Sequence, residues 1–80
     1  MQVYNSDLCL KLGRRIAAAR KNCHMTQEQL SARLQLNNCD ITRSALAKIE
    51  VGQRHIYPDE LCLLKELLNV SYDELLPKYK

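Results

Sequence analysis

The chain has 80 residues, a formal net charge of +3 and an isoelectric point near 8.8. That length holds one small core, which must be aliphatic because there is no Trp or Phe. Two Gly and two Pro leave little turn chemistry for hairpins, and no apolar run approaches the roughly 18 residues of a membrane span, so an all-α domain is expected.

Five helices are predicted in chain order. The first runs from Ser6 or Asp7 to Asn22, with Leu8, Leu12, Ile16, Ala19 and Cys23 on one apolar stripe and Ser6 as its cap. The second runs from Gln27 to about Leu36. Thr26 and Gln29 form a capping box at its start, and Leu30 and Leu34 face inward. The third runs from Arg43 to Glu50 or Val51. Thr42 caps it, Gly52 ends it in a left-handed conformation, and Leu46 and Ile49 anchor it. Its outward residues include Arg43, Ser44 and Lys48. The fourth starts at Pro58, with Asp59 and Glu60 favoured by the helix dipole and Leu61, Leu64 and Leu68 inside. The fifth is short, Ser71 to Leu76, stopped by Pro77. No linker or repeat divides the chain. One domain is expected over residues 1–80, with loose ends at 1–5 and 78–80.

Charge is uneven. Between Arg14 and Arg54 there are eight basic and three acidic residues, a net of +5, whereas Asp59 to Lys80 carries −2. Such asymmetry suits phosphates more than an evenly solvated surface does. A short basic helix held against another short helix also has the geometry that enters a DNA major groove.

The stretch Thr26–Gly52 resembles the helix-turn-helix of the Cro/C1, or Xre-type, regulators. The family's Ser/Thr-Gln-x-x-Leu opening is here Thr26-Gln27-Glu28-Gln29-Leu30, and its Ile-x-x-Ile/Leu-Glu-x-Gly is here Leu46-Ala47-Lys48-Ile49-Glu50-Val51-Gly52. A basic segment (Gln53-Arg54-His55), a Pro-initiated helix and Val70-Ser71-Tyr72-Asp73-Glu74-Leu75 follow in the family's order. The resemblance extends from about Leu12 to Leu76 and implies a five-helix, lambda-repressor-like DNA-binding domain. Two features depart from it. The link from Gln35 to Ile41 is about five residues longer than the usual tight turn and lacks its Gly, although Asn37 or Asn38 can take the left-handed conformation. Ser31 stands where Ala is common. The longer link implies either an extra turn on the second helix or an added loop, and it bears on how the third helix docks.

By this resemblance the chain is a sequence-specific double-stranded DNA-binding transcriptional regulator, repressor-like, with helix 42–51 in the major groove. Arg43, Ser44, Ala47 and Lys48 face base edges, Arg43 as a bidentate guanine contact or else a phosphate contact. Gln27, Asn38, Thr42, Arg54 and His55 are placed on the DNA backbone. Arg20 and Glu50 match the family's ion pair between its first and third helices. A homodimer is expected, with Tyr72, Leu75, Leu76 and Tyr79 at its interface unless Leu75 closes the core. The alternative is a protein-interaction module on the same fold, an antitoxin or co-regulator using the fourth and fifth helices.

The four cysteines, Cys9, Cys23, Cys39 and Cys62, are separated by 14, 16 and 23 positions, which gives no close metal-binding pair. They read as small hydrophobes, with Cys39 the one expected to be partly exposed; a thiol or metal sensor is the weaker reading. The N-terminus MQVYNSDLCLK has neither a basic start nor a long apolar stretch, so a cytoplasmic protein with reduced thiols is expected. There is no Gly-rich phosphate loop and no paired-carboxylate constellation, so neither enzyme activity nor a cofactor is expected.

Overall fold

The computed structural model describes residues 6–77. Five helices follow one another: α1 Ser6–Asn22, α2 Gln27–Leu36, α3 Arg43–Glu50, α4 Pro58–Leu68 and α5 Tyr72–Leu75. Among the described residues there is no strand. The expected capping by the Ser6 side chain, the loose ends at 1–5 and 78–80, and the interface role of Tyr79 lie outside the described residues.

Start signals in the sequence set the helix boundaries. Thr26 Oγ1 accepts from the Gln29 N–H at 3.0 Å, and Gln29 Oε1 accepts from the Thr26 N–H at 2.8 Å. Thr42 Oγ1 accepts from the Ala45 N–H at 3.1 Å. Ser71 and Glu74 repeat the reciprocal box at α5. At α4, Glu60 Oε1 accepts the Tyr57 N–H, and Pro58 sits at the first helical position, where no N–H is missed.

The first four helices stop in the same way. A left-handed residue follows each: His24 (φ 58°), Asn38 (φ 64°), Gly52 (φ 78°) and Asn69 (φ 55°). Around each, two backbone N–H groups turn back onto the last turn. Cys39 N–H reaches Leu34 O at 2.9 Å while Asn38 N–H reaches Gln35 O at 3.0 Å, and Gln53 and Gly52 close α3 on Lys48 O and Ile49 O. These paired closures satisfy carbonyls that a helix end otherwise leaves open.

The core is aliphatic throughout. Ile16, Leu30, Leu34, Ile41, Leu46, Ile49, Leu64, Leu68 and Leu75 are all buried to within 1% of complete. Each such side chain contributes on the order of 1.5–3 kcal/mol relative to exposure. Helix α1 packs against α3, α4 and α5, and α2 packs against α3 and α4.

Two expectations change here. Leu75 is fully buried, because α5 packs onto α1 and turns Leu75 into the core; it is not an interface residue. Cys39 is partly exposed as expected, but Cys9 and Cys23 are so too, and the most exposed cysteine is Cys62. Cys62 lies on the outer side of α4, where its Sγ accepts from the Tyr72 hydroxyl at 3.0 Å. Burial, with Glu60 and Asp59 nearby, pushes the Cys39 thiol above its ordinary pKa.

Candidate nucleic-acid interface

Helix α3 is divided lengthwise. Leu46, Ile49 and Glu50 are buried, while Arg43, Ser44, Lys48 and the following Val51 are exposed and Ala47 is half-buried. The periodicity of the helix places all five of these outward residues on one side. Its sole carboxylate, Glu50, points away from that side, so the exposed face carries no acidic group.

The inward carboxylate organises the back of α3. Arg20, only 8% exposed, donates from Nε to Glu50 Oε2 at 2.7 Å and from Nη2 to Oε1 at 3.0 Å. Its Nη1 donates to Met25 O at 2.8 Å. Gln27 Nε2 donates to the same Glu50 Oε1 at 2.9 Å. One carboxylate therefore joins the end of α1, the start of α2 and the end of α3. Gln27 is thus held by the fold through one N–H of its amide. Between these elements lies a shallow cleft of about 430 Å³, lined by Arg20, Thr26, Gln27, Glu28 and Arg43. The N–H groups opening α2 favour an anion there; the Glu28 carboxylate opposes one.

Close approach of α1 and α3 depends on both glycines of the chain. A Cβ on Gly13 would lie 2.2 Å from Ile49 O and 2.8 Å from Glu50 O. A Cβ on Gly52, besides straining its left-handed backbone, would lie 2.8 Å from Leu10 Cα. Gly52 is legible as a terminator. Gly13 carries only one sequence signal, an isolated Gly inside a helical pattern, which is itself a sign of packing.

At the front of α3, both departures from the family pattern meet. Helix α2 extends to Leu36, and the link 37–42 then turns Ile41 into the core, fully buried. Ser31 Oγ donates to Ile41 O at 2.8 Å, and Gln35 Nε2 reaches the same oxygen at 3.3 Å. The hydroxyl at position 31 therefore holds the longer link. Asn38 supplies the left-handed residue that ends α2 and is exposed, and Thr42 spends its oxygen on the cap.

After α3, Arg54 grips Glu60: Nη1 to Oε1 and Nη2 to Oε2, both at 3.1 Å. Nη1 also donates to His55 O at 2.8 Å. The Arg54 hydrogen bonds hold the Glu60 carboxyl below its usual pKa against the opposing effect of burial. Arg54 is thus partnered inside the fold. His55 is exposed. Tyr72 and Leu76 lie at the far end from α3 in the chain, 39% and 42% exposed, with Lys65 Nζ 5.3 Å from the Tyr72 ring centre.

A helix-turn-helix family model matches residues 16–75. Among solved structures, the DNA-binding domain of BldD superposes with a TM-score of 0.77 at 20% identity, covering 92% of this chain and all of that one. No curated protein matches the chain in sequence. With the match spanning most of its length and five helices in the family's order, the chain belongs to the Cro/C1-type helix-turn-helix family.

Proposed function

We propose that the chain is a sequence-specific double-stranded DNA-binding transcriptional regulator that works in the cytoplasm and needs no cofactor. The observation that carries this reading is the exposed face of α3: Arg43, Ser44 and Lys48 with no carboxylate among them, on a helix fixed from behind by Glu50. Such a face suits the major groove, where Arg pairs with guanine O6 and N7. Arg43, Ser44, Ala47 and Lys48 read bases. Gln27, Asn38, Thr42 and His55 meet the phosphates flanking them. Arg54 adds a phosphate contact through the N–H groups that Glu60 leaves unused. The BldD structure is described as a DNA-binding domain, which agrees with this reading. Occupying an operator would repress by excluding polymerase.

One such helix buries little DNA surface, so a homodimer is part of the proposal. Tyr72 and Leu76, at α5, are exposed apolar residues that could supply its interface, and two copies of α3 would sit about 34 Å apart. The same exposed pair supports the second reading, a partner-protein module using α4 and α5.

Selection from a random duplex pool, followed by titration at several salt concentrations, tests the proposal. Arg43→Ala should cost about 1–3 kcal/mol on the selected site and relax preference at one base pair. Equal loss on a scrambled duplex would make Arg43 a phosphate clamp. A parent chain without sequence preference or salt dependence would leave the partner-protein reading standing.

A further inference from the structure

Val51 has no role in the core: it is 54% exposed, while Leu46 and Ile49 take the buried positions of α3. It follows Ala47 by one helical turn, and Ala47 follows Arg43 by one turn, so the three form a line. Ser44 and Lys48 lie beside that line. The outward face of α3 therefore carries an apolar strip between cationic and hydroxyl groups, continuous with the proposed DNA-reading surface. Val51 is the cap residue that follows the eight residues of the helix, on the same side as Arg43 and Ala47. The major groove is wide enough to admit a helix with that side toward the base edges. There, the edges of the base pairs present hydrogen-bonding atoms and a single kind of apolar group, the thymine C5 methyl.

We infer that Val51, with Ala47 beside it, reads a pyrimidine C5 methyl in the major groove, supplied by thymine. This rests on the DNA-binding reading above. Contact between Val51 and that methyl removes apolar surface from water on both partners, and it distinguishes A·T from G·C without a hydrogen bond. 5-Methylcytosine offers the same group in a different base pair, so the test separates the two.

The parent chain and Val51→Ala are titrated against the selected duplex and two substituted series. In one, each thymine in turn becomes deoxyuridine, which removes the methyl and keeps every hydrogen-bonding atom. In the other, each cytosine in turn becomes 5-methyldeoxycytidine. At one or two thymine positions, deoxyuridine should weaken the parent roughly fourfold, the equivalent of ~0.8 kcal/mol for one buried methyl-sized group. The same substitution should weaken Val51→Ala distinctly less than the parent. A gain from 5-methyldeoxycytidine in the parent, lost in Val51→Ala, would keep the methyl contact and assign it to that base instead. Substitutions that affect both proteins equally, or neither, overturn the role of Val51 while leaving DNA binding intact. Failure of the parent to bind any duplex overturns the DNA reading itself. Because Val51 is exposed, the variant folds like the parent, and its unfolding midpoint checks this.

Discussion

The two ends of α3 are held by different physics. The C-terminal end is fixed by close backbone approach and by charge: Gly13 lies under the carbonyls of Ile49 and Glu50, and Glu50 is shared by Arg20 and Gln27. The N-terminal end hangs from the link 37–42, held by one buried aliphatic side chain, Ile41, and by neutral hydrogen bonds from Ser31 and Gln35 to its carbonyl. A contact made by helix backbone without a Cβ between has no slack. A link anchored at one apolar residue can change length on either side of the anchor. The family pattern is accordingly kept at the rigid end and altered at the other.

Breaking the charged end should have the largest effect. Glu50→Gln keeps the shape of the side chain but leaves the buried Arg20 guanidinium without a counter-charge. A loss of about 3–5 kcal/mol is expected, read from the denaturant midpoint. A shift under about 1 kcal/mol, the scale of an exposed pair, would mean that water reaches Arg20. Gly13→Ala probes the same end without touching charge. The added Cβ meets backbone, which cannot rotate aside, so α1 and α3 must separate. Overpacking of this kind costs about 1–3 kcal/mol, of which alanine's helix preference returns about 1 kcal/mol. A midpoint raised by that full helix-preference gain would show that the two helices part without penalty.

Local chemistry explains what was legible in the sequence. Caps and terminators are short-range, so Thr26, Thr42, Pro58, Ser71 and Gly52 marked the helix boundaries well. The Arg20–Glu50 contact came only from family resemblance, since nothing local ties positions thirty residues apart. The link was harder. Ile41 is a single apolar residue in a polar stretch, and one residue has no periodicity to show which way it faces. Ser31 was visible as a departure but not as the partner of Ile41. A four-residue helix has too few turns to define an inner side, so the choice between interface and core for Leu75 is not legible locally. The Arg54–Glu60 pairing is not legible locally, because the acidic partner lies on the next helix. The exposed position of Val51 is not legible because an apolar residue next to buried Ile49 and Glu50 reads as part of the core.

The front of α3 should respond more gently. Ser31→Ala removes the donor at 2.8 Å from Ile41 O and leaves Gln35 at 3.3 Å. The carbonyl stays partly satisfied, so about 1 kcal/mol is expected, again from the midpoint. Amide exchange sharpens the contrast: protection should fall in the link 37–42 and the first turn of α3, and stay unchanged around Glu50. Equal loss at both ends would mean that α3 moves as one body and that its two anchors are not independent.

The smallest effect belongs to Arg54–Glu60, the pair just beyond the rigid end. Its side chains are 28% and 12% exposed, so solvent screens it more than Arg20–Glu50, and less than about 1 kcal/mol is expected from Glu60→Gln at neutral pH. The sign of its pH dependence follows from the carboxyl. Hydrogen bonds from Arg54 lower the folded pKa of Glu60 below the ordinary 4.5. The pair's stabilisation is therefore fully present above that ordinary value. It is lost as pH falls below it and through the depressed folded value, because the unfolded chain takes up the proton first. Denaturation of the parent and Glu60→Gln across this range should give two stability curves separated at neutral pH and converging in acid. Other carboxylates affect both proteins alike and cancel in the difference. A separation that stays constant from neutral pH into acid would show that the loss does not come from the charge on Glu60, and the ion pair would then contribute nothing beyond geometry.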